Sequence, residues 1–469
     1  MRNPTLRRNP WLRALTHARP IAAGIIGLAL ALAGLGVRAQ EPVAGAGAFP
    51  AVPTLVFPPF PLTGTEARSD DAKEFRTTAL RDLKNSGAFR LLTGPGGAPA
   101  PKPGHVAAPD LMLRFVSHSV ARGKLLVEGE CINLATGAVV LKKSFLGQTA
   151  VVDRMAHRLV DFLVGRVTGT PGVADSTIVF TRATAPGIQE IFGADRDGRN
   201  QRQLTSFGSL TTHPAISGDG RLAFVTYKGG PPQIWGQLKP KGPFQLIYPK
   251  GSPAGLELSD LAWSPDGQRL AFVQATRKGL ADIQVLDLAS GQVARLTEGH
   301  TSRGPSWSPD GSSLAFLSDR DGTSQVFIMA GDGSHARLLT SDPSPKACAA
   351  WNAKGDRIAY SARADGATGL YILGPDGKDR QRAASVPEAV ASLCWAPDGR
   401  SLLLGLGAGA DARLRIADLD GKIQDFAWGL DGSQFPQWVQ NPAPVAELGA
   451  ADHALPYPVP ALLGAAPLP

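Results

Sequence analysis

Cysteine is almost missing from this chain: three residues, Cys131, Cys348 and Cys394, in a sequence of 469. An odd, sparse set of thiols excludes a disulfide-stapled scaffold, and no Cys/His spacing of the zinc-binding kind occurs. Cys348 and Cys394 fall in corresponding strands of adjacent repeats. A disulfide between them is conceivable, but a packed, small apolar state is the expected one. No G-x-S-x-G stretch occurs, so the nucleophile elbow of an α/β-hydrolase is absent. Long apolar runs are also lacking, except for one near the start.

That run, Ile21 to Val37, follows Arg2, Arg7, Arg8, Arg13 and Arg19 and precedes Val37-Arg38-Ala39. A basic start, an apolar centre and small residues at −3 and −1 describe a secretory signal, residues 1–39, cut between Ala39 and Gln40. Its 17 residues also stand at the lower limit of a membrane span, so an uncleaved anchor is the competing reading. Alanine and glycine richness favours cleavage. No cysteine lies at the junction, so no lipid attachment is expected there. Removing the signal takes away six of 48 basic residues and no acidic one, leaving 42 against 40. The basic balance of the whole chain thus reports targeting, and no nucleic-acid surface is expected. No other stretch is apolar enough to span a membrane, and the signal leads one to expect a mature chain outside the cytoplasm.

What the chain has in abundance is glycine, 54 residues, and proline, 39. Much of both belongs to a repeat. WSPDGQRLAFVQ starts at Trp263, WSPDGSSLAFLS at Trp307, WNAKGDRIAYSA at Trp351 and WAPDGRSLLLGL at Trp395, a constant interval of 44 residues. Pro-Asp-Gly predicts a turn, since proline presets φ, aspartate bonds nearby amides and glycine accepts positive φ. The apolar run after it is too short for a helix and suits a strand covered on both faces. Two further strands complete each unit, and four short strands in this length make a β-propeller blade. Degenerate copies around Leu222 and Thr177 bring the count to six. Phe435-Pro436-Gln437-Trp438 is an opening strand without a blade, and the first blade lacks its own. The last segment is therefore expected to complete the first blade.

Ahead of the repeats, 53–168 reads as a small α+β domain. Pro53 to Phe60 reads as a strand followed by a turn; Glu66 to Phe89 carries an apolar stripe at Ala72, Phe75, Ala79, Leu80 and Leu83. Asp110–Val116, Lys124–Leu134 and Val139–Phe145 read as strands. A second amphipathic helix places Val152, Met155, Leu159, Phe162 and Leu163 on one face. The chain then divides into a flexible stretch at 40–52, this domain, a propeller at 173–440 and a disordered Pro/Ala-rich tail at 441–469.

Leu55-Val56-Phe57-Pro58-Pro59-Phe60, Leu83-Lys84-Asn85-Ser86-Gly87-Ala88-Phe89-Arg90 and Met155-Ala156-His157-Arg158-Leu159-Val160-Asp161, followed by six WSPDG-type blades, resemble the TolB family over about 50–440. That resemblance implies a mainly β fold, a six-bladed propeller preceded by an α+β domain, in a periplasmic component of the Tol–Pal system. It implies a monomeric scaffold without catalysis or cofactor, supporting outer-membrane integrity and constriction at division. Its propeller would bind the peptidoglycan-associated lipoprotein Pal, and its N-terminal segment the inner-membrane protein TolA. The family uses a β-prone N-terminal segment for TolA; here residues 40–51 read QEPVAGAGAFPA, poor in β-branched side chains.

Binding residues concentrate in loops that the blades leave free to vary. Repeat register places His213, Asp260, Arg303, Lys346 and Glu388 between a fourth strand and the next opening strand, at the funnel of the ring. The family's partner is expected there, on a polar mouth around an apolar centre. His213 and His300 share no spacing with carboxylates that would mark a metal site, and His157 reads as structural. Asp195-Arg196-Asp197-Gly198 and Asp319-Arg320-Asp321-Gly322 resemble pieces of a calcium loop but lack its closing Glu, so hairpin turns are expected. The alternative is an enzyme or small-ligand binder with its site in the central channel. Convergent His, Asp and Glu on neighbouring opening strands would favour it.

Overall fold

The computed structural model describes residues 52–57, 70–93, 110–120, 123–249, 256–276, 279–364, 366–426, 432–441 and 446–447. The expected signal, its Ala39–Gln40 junction, the segment 40–51 and nearly all of the tail lie outside these residues.

The first layer pairs two helices with one sheet. Strand β1 (Thr54–Phe57) is followed by helix α1 (Asp70–Ser86), then β2 (Arg90–Thr93), β3 (Leu111–Val120), β4 (Lys124–Asn133), β5 (Val139–Gln148) and helix α2 (Val152–Thr168). The sheet runs β2-β1-β3-β4-β5, with Ala446–Glu447 added beside β5. Period-two burial along β4 turns Leu125, Val127 and Cys131 inward. Phe75, Ala79 and Leu83 of α1 and Met155, Ala156, Leu159 and Leu163 of α2 fall at helical spacing and close the same core. Helix α2 stops at Gly169, whose φ of 71° an L side chain rarely adopts.

The connection to the propeller is pinned to α2. Asp161 accepts the amides of Ala174 at 2.6 Å and Asp175 at 2.8 Å, and Arg154 pairs with Asp175 at 2.9 Å. Gly172 runs so close to α2 that a Cβ there would sit 2.5 Å from the Cα of Asp161. Arg81 of α1 reaches Asp197 in the first blade at 2.6 Å.

Six four-stranded antiparallel sheets follow, and the first joins both ends of the array: Gln434–Gln440 pairs with Ser176–Ala185, followed outward by Ile188–Asp195 and Arg202–Gln203. The expected closure is therefore the one the chain makes. Blades 2 to 6 open with Thr211–Ile216, Leu256–Trp263, Ser302–Trp307, Lys346–Trp351 and Val390–Trp395. The second strands are sandwiched, and Phe180, Phe224, Phe272, Phe316 and Tyr360 recur at one register, all fully buried. Each of the four phenylalanines contributes about 1.5–3 kcal/mol by leaving water.

The repeated tryptophan serves the joints between blades. Trp263 Nε1 donates to the carbonyl of Ala215 at 3.2 Å, Trp307 to Ala262 at 3.2 Å and Trp395 to Ala350 at 2.9 Å, each across to the preceding blade. Trp438 donates to Ser176 Oγ at 2.7 Å, tying the last strand to its neighbour. The Ser-Pro-Asp-Gly turn is capped from within. Ser264 Oγ donates to Asp266 at 2.5 Å, Asp266 accepts the amide of Gln268 at 3.0 Å, and Gly267 turns with φ of 65°. These bonds hold the Asp266 carboxyl below its ordinary value, the Ser264 hydroxyl first among them. All three cysteines are free thiols.

Candidate functional site: the channel mouth

Each opening strand carries a bulge three or four residues before its tryptophan or the equivalent Ile216, where pairing with the second strand slips. The residues at that register are His213, Asp260, Gly304, Cys348, Ser392 and Phe435; Ser392 alone is paired, with Gly405, the slip in its strand falling at Ala391. Four non-glycine members have positive φ: His213 49°, Asp260 50°, Cys348 55° and Phe435 49°. Such backbone is uncommon outside glycine, and four instances at one register describe a shared device that turns side chains toward the axis.

All six line one cavity of about 550 Å³, with Glu257, Arg303 and a set of apolar side chains including Leu261, Val273 and Leu317. His213 packs against Phe435 in a tilted pair with ring centroids 4.1 Å apart, and its Nε2 lies 3.8 Å from Asp260 Oδ1. Asp260 Oδ2 accepts the amide of Gly304 at 3.1 Å. Burial holds His213 below its ordinary pKa against the pull of Asp260, so the ring is neutral near pH 7. Its Nδ1 is buried without a hydrogen-bond partner among the described residues. The Cys348 thiol is pushed up to about 12, by burial first and Asp260 second, so it stays an S–H and donates to the carbonyl of Val390 at 3.5 Å. A thiol so protected is a poor nucleophile.

The five residues expected at the funnel separate into two groups. His213, Asp260 and Arg303 meet at the cavity, although they lie within opening strands rather than in loops. Lys346 requires correction: its side chain is wholly buried, and its ammonium is held by Asp342 at 2.6 Å and by the Ser344 carbonyl. Glu388 turns to Arg415 at 3.2 Å and Arg413 at 3.4 Å on the third strand of its own blade. Register explains the split, because the five stand 3, 3, 4, 5 and 7 residues before Ile216, Trp263, Trp307, Trp351 and Trp395. His213 and Asp260 do share a carboxylate spacing, one that appears only once Ile216 is aligned with the tryptophans. Gly304, Cys348, Ser392 and Phe435 were missed, and that same register is the signal that finds them. Asp195 to Gly198 and Asp319 to Gly322 form turns, with Gly198 and Gly322 donating to Asp195 and Asp319 at 2.8 Å.

The family model described as the TolB beta propeller domain, PD40, matches residues 164–441. The Tol-Pal system protein TolB of Anaeromyxobacter dehalogenans (strain 2CP-C) is 29% identical over 341 residues, covering 68% of this chain and 66% of that protein. A protein TolB homolog of Chlorobium chlorochromatii (strain CaD3) is 31% identical over 180 residues, covering 38% of this chain and 39% of its own length. The matches thus span less than two thirds of both relatives. The crystal structure of TolB from Acinetobacter baumannii superposes with a TM-score of 0.69 at 21% identity, over 84% of this chain and 98% of that one, and shows the shared fold. With the matched residues making up more than half of its length, the chain belongs to the TolB β-propeller family.

Proposed function

We propose that this protein is a non-catalytic periplasmic scaffold of a Tol–Pal-type envelope system, with the channel mouth as its docking site for a Pal-like lipoprotein. The observation that carries the reading is the mouth itself, where His213, Asp260 and Arg303 surround apolar Leu261, Val273 and Phe435 on a rigid ring. Charge of both signs around an apolar centre suits a folded partner, whose few anchoring side chains would enter the cavity. The N-terminal stretch 40–52 would contact TolA, and the exported state follows from cleavage between Ala39 and Gln40. The scaffold would act as a monomer, linking the outer envelope to the inner membrane and supporting constriction at division.

A second reading has one observation in its favour: His213 and Asp260 approach across neighbouring opening strands, the convergence expected of a channel enzyme or small-ligand binder. Protonated Cys348 weakens the catalytic form of that reading. Capture separates the two. The immobilised protein is incubated with detergent-solubilised envelope and retained proteins are identified by mass spectrometry. A Pal-like lipoprotein is expected, with loss of its recovery in a His213→Ala/Asp260→Ala/Arg303→Ala variant. Retention of no envelope protein would reject the scaffold and leave the channel-ligand reading.

A further inference from the structure

A second polar cluster lies away from the channel, where helix α2 meets the first blade. Asp153, His157 and Asp195 each offer one ligand atom, all within 4.8 Å of one another. Asp153 and His157 stand one helical turn apart on α2, and Asp195 ends the third strand of blade 1. His157 is 3% exposed and Asp195 8%, so two of the three are taken out of water. Asp82 of α1 lies 2.6 Å from His157 Nδ1. A carboxylate only accepts, so Nδ1 carries the proton and Nε2 is the nitrogen left to coordinate.

We propose that Asp153, His157 and Asp195 form a binding site for one divalent first-row transition ion, best matched by Zn²⁺, that clamps the α+β domain to the propeller. Three features carry this. The donor set is one imidazole and two carboxylates, with a carboxylate behind the imidazole, the arrangement that fixes ring orientation and raises ligand basicity at metal centres. The charge is also only partly compensated: Asp82, Asp153 and Asp195 surround one imidazole, Arg81 lies 3.9 Å from Asp82 while binding Asp197 at 2.6 Å, and Arg154 is held by Asp175. Asn200 Nδ2 bridges Asp153 at 2.9 Å and Asp195 at 2.7 Å, aligning the two carboxylates without adding charge. Lastly, the nitrogen donor selects against Ca²⁺ and Mg²⁺, which prefer oxygen alone. Ligand atoms around a tetrahedral ion stand roughly 3.3 Å apart, given bonds of about 2.0–2.2 Å, so modest side-chain rotation completes the site. The inference is independent of what the channel mouth binds.

The test strips the purified protein with a chelator and titrates it with Zn²⁺, Mn²⁺ and Ca²⁺ by calorimetry, followed by zinc-edge X-ray absorption. One Zn²⁺ per chain is expected, with an imidazole in its shell and a melting temperature that rises with zinc concentration. Half-buried Asp153→Asn should lose the site while keeping the wild-type circular dichroism. Asp82→Asn should weaken affinity about 10–100-fold. His213→Ala, in the channel, should leave binding intact. Absence of stoichiometric zinc, zinc retained in both Asp153→Asn and Asp195→Asn, or a shell without nitrogen would each overturn the proposal.

Discussion

Single residues in this protein are repeated for jobs that can be weighed one against another. Trp307 and Trp395 each bridge two blades through Nε1, whereas Trp351 Nε1 is buried without a partner among the described residues. Trp307→Phe and Trp395→Phe should therefore each cost about 1 kcal/mol more in urea unfolding than Trp351→Phe, the net value of one buried hydrogen bond. Equal costs at all three would show that ring packing alone fixes the tryptophan. Gly172 is a case of contact rather than conformation. A Cβ there would meet Asp161, so Gly172→Ala should destabilise the chain by about 1–3 kcal/mol and expose the linker to protease.

Asp161 also gives a pH signature. Burial raises its pKa to about 7, despite the amides of Asp175 and Ala174 that favour the charged form. The groups facing it are Asp175, itself paired with Arg154, then Asp82 and the amide of Gln440. The folded state holds this proton up to about 7, while the unfolded chain releases it near the ordinary value of 3.8. Stability from this group therefore falls as pH rises from about 4 to about 7 and is flat above. Melting temperatures of wild type and Asp161→Asn should lie closest near pH 4.5, where both side chains are neutral, and separate toward pH 8 as the wild type falls. Parallel curves across that window would contradict the assignment.

At the scale of elements, the propeller was legible and its interior surface only in part. Strict repetition made the blades readable, because a 44-residue period reports a packing unit whatever the individual residues prefer. The closing strand could be read from two complementary defects, a spare strand at one end and a missing one at the other. Helix α1 and strands β3 to β5 were visible from period alone, within a few residues at each end. Strand β2 (Arg90–Thr93) was not, being four residues long and set between a helix end and a Gly/Pro stretch. Gly304, Cys348, Ser392 and Phe435 escaped, while His213, Asp260 and Arg303 did not, because a bulge breaks the alternation that tells inward from outward. Lys346 shows the limit of register: it stands in an opening strand, yet its side chain folds back on Asp342. Removing the chain after Gly432 should leave the edge of Ser176–Ala185 unpaired. Such a truncation is expected to lose cooperative unfolding and to aggregate, as followed by circular dichroism and light scattering.

The whole molecule combines a ring that cannot easily deform with a small domain bolted to its first blade. Six bulges on one ring give a mouth whose chemistry can change while the blades stay the same, which is how a propeller acquires a specific partner. His213, Asp260 and Arg303 are spread over three neighbouring blades, so their joint contribution tests the ring as a surface rather than as separate strands. The most direct measurement is the affinity of the lipoprotein recovered by capture, in its soluble form, for the wild type and for the His213→Ala/Asp260→Ala/Arg303→Ala variant. Both should melt alike, and the variant should bind at least about 30-fold more weakly, the loss of roughly 2 kcal/mol that marks an interface anchor. Unchanged affinity in a correctly folded variant would contradict the channel mouth as the docking site.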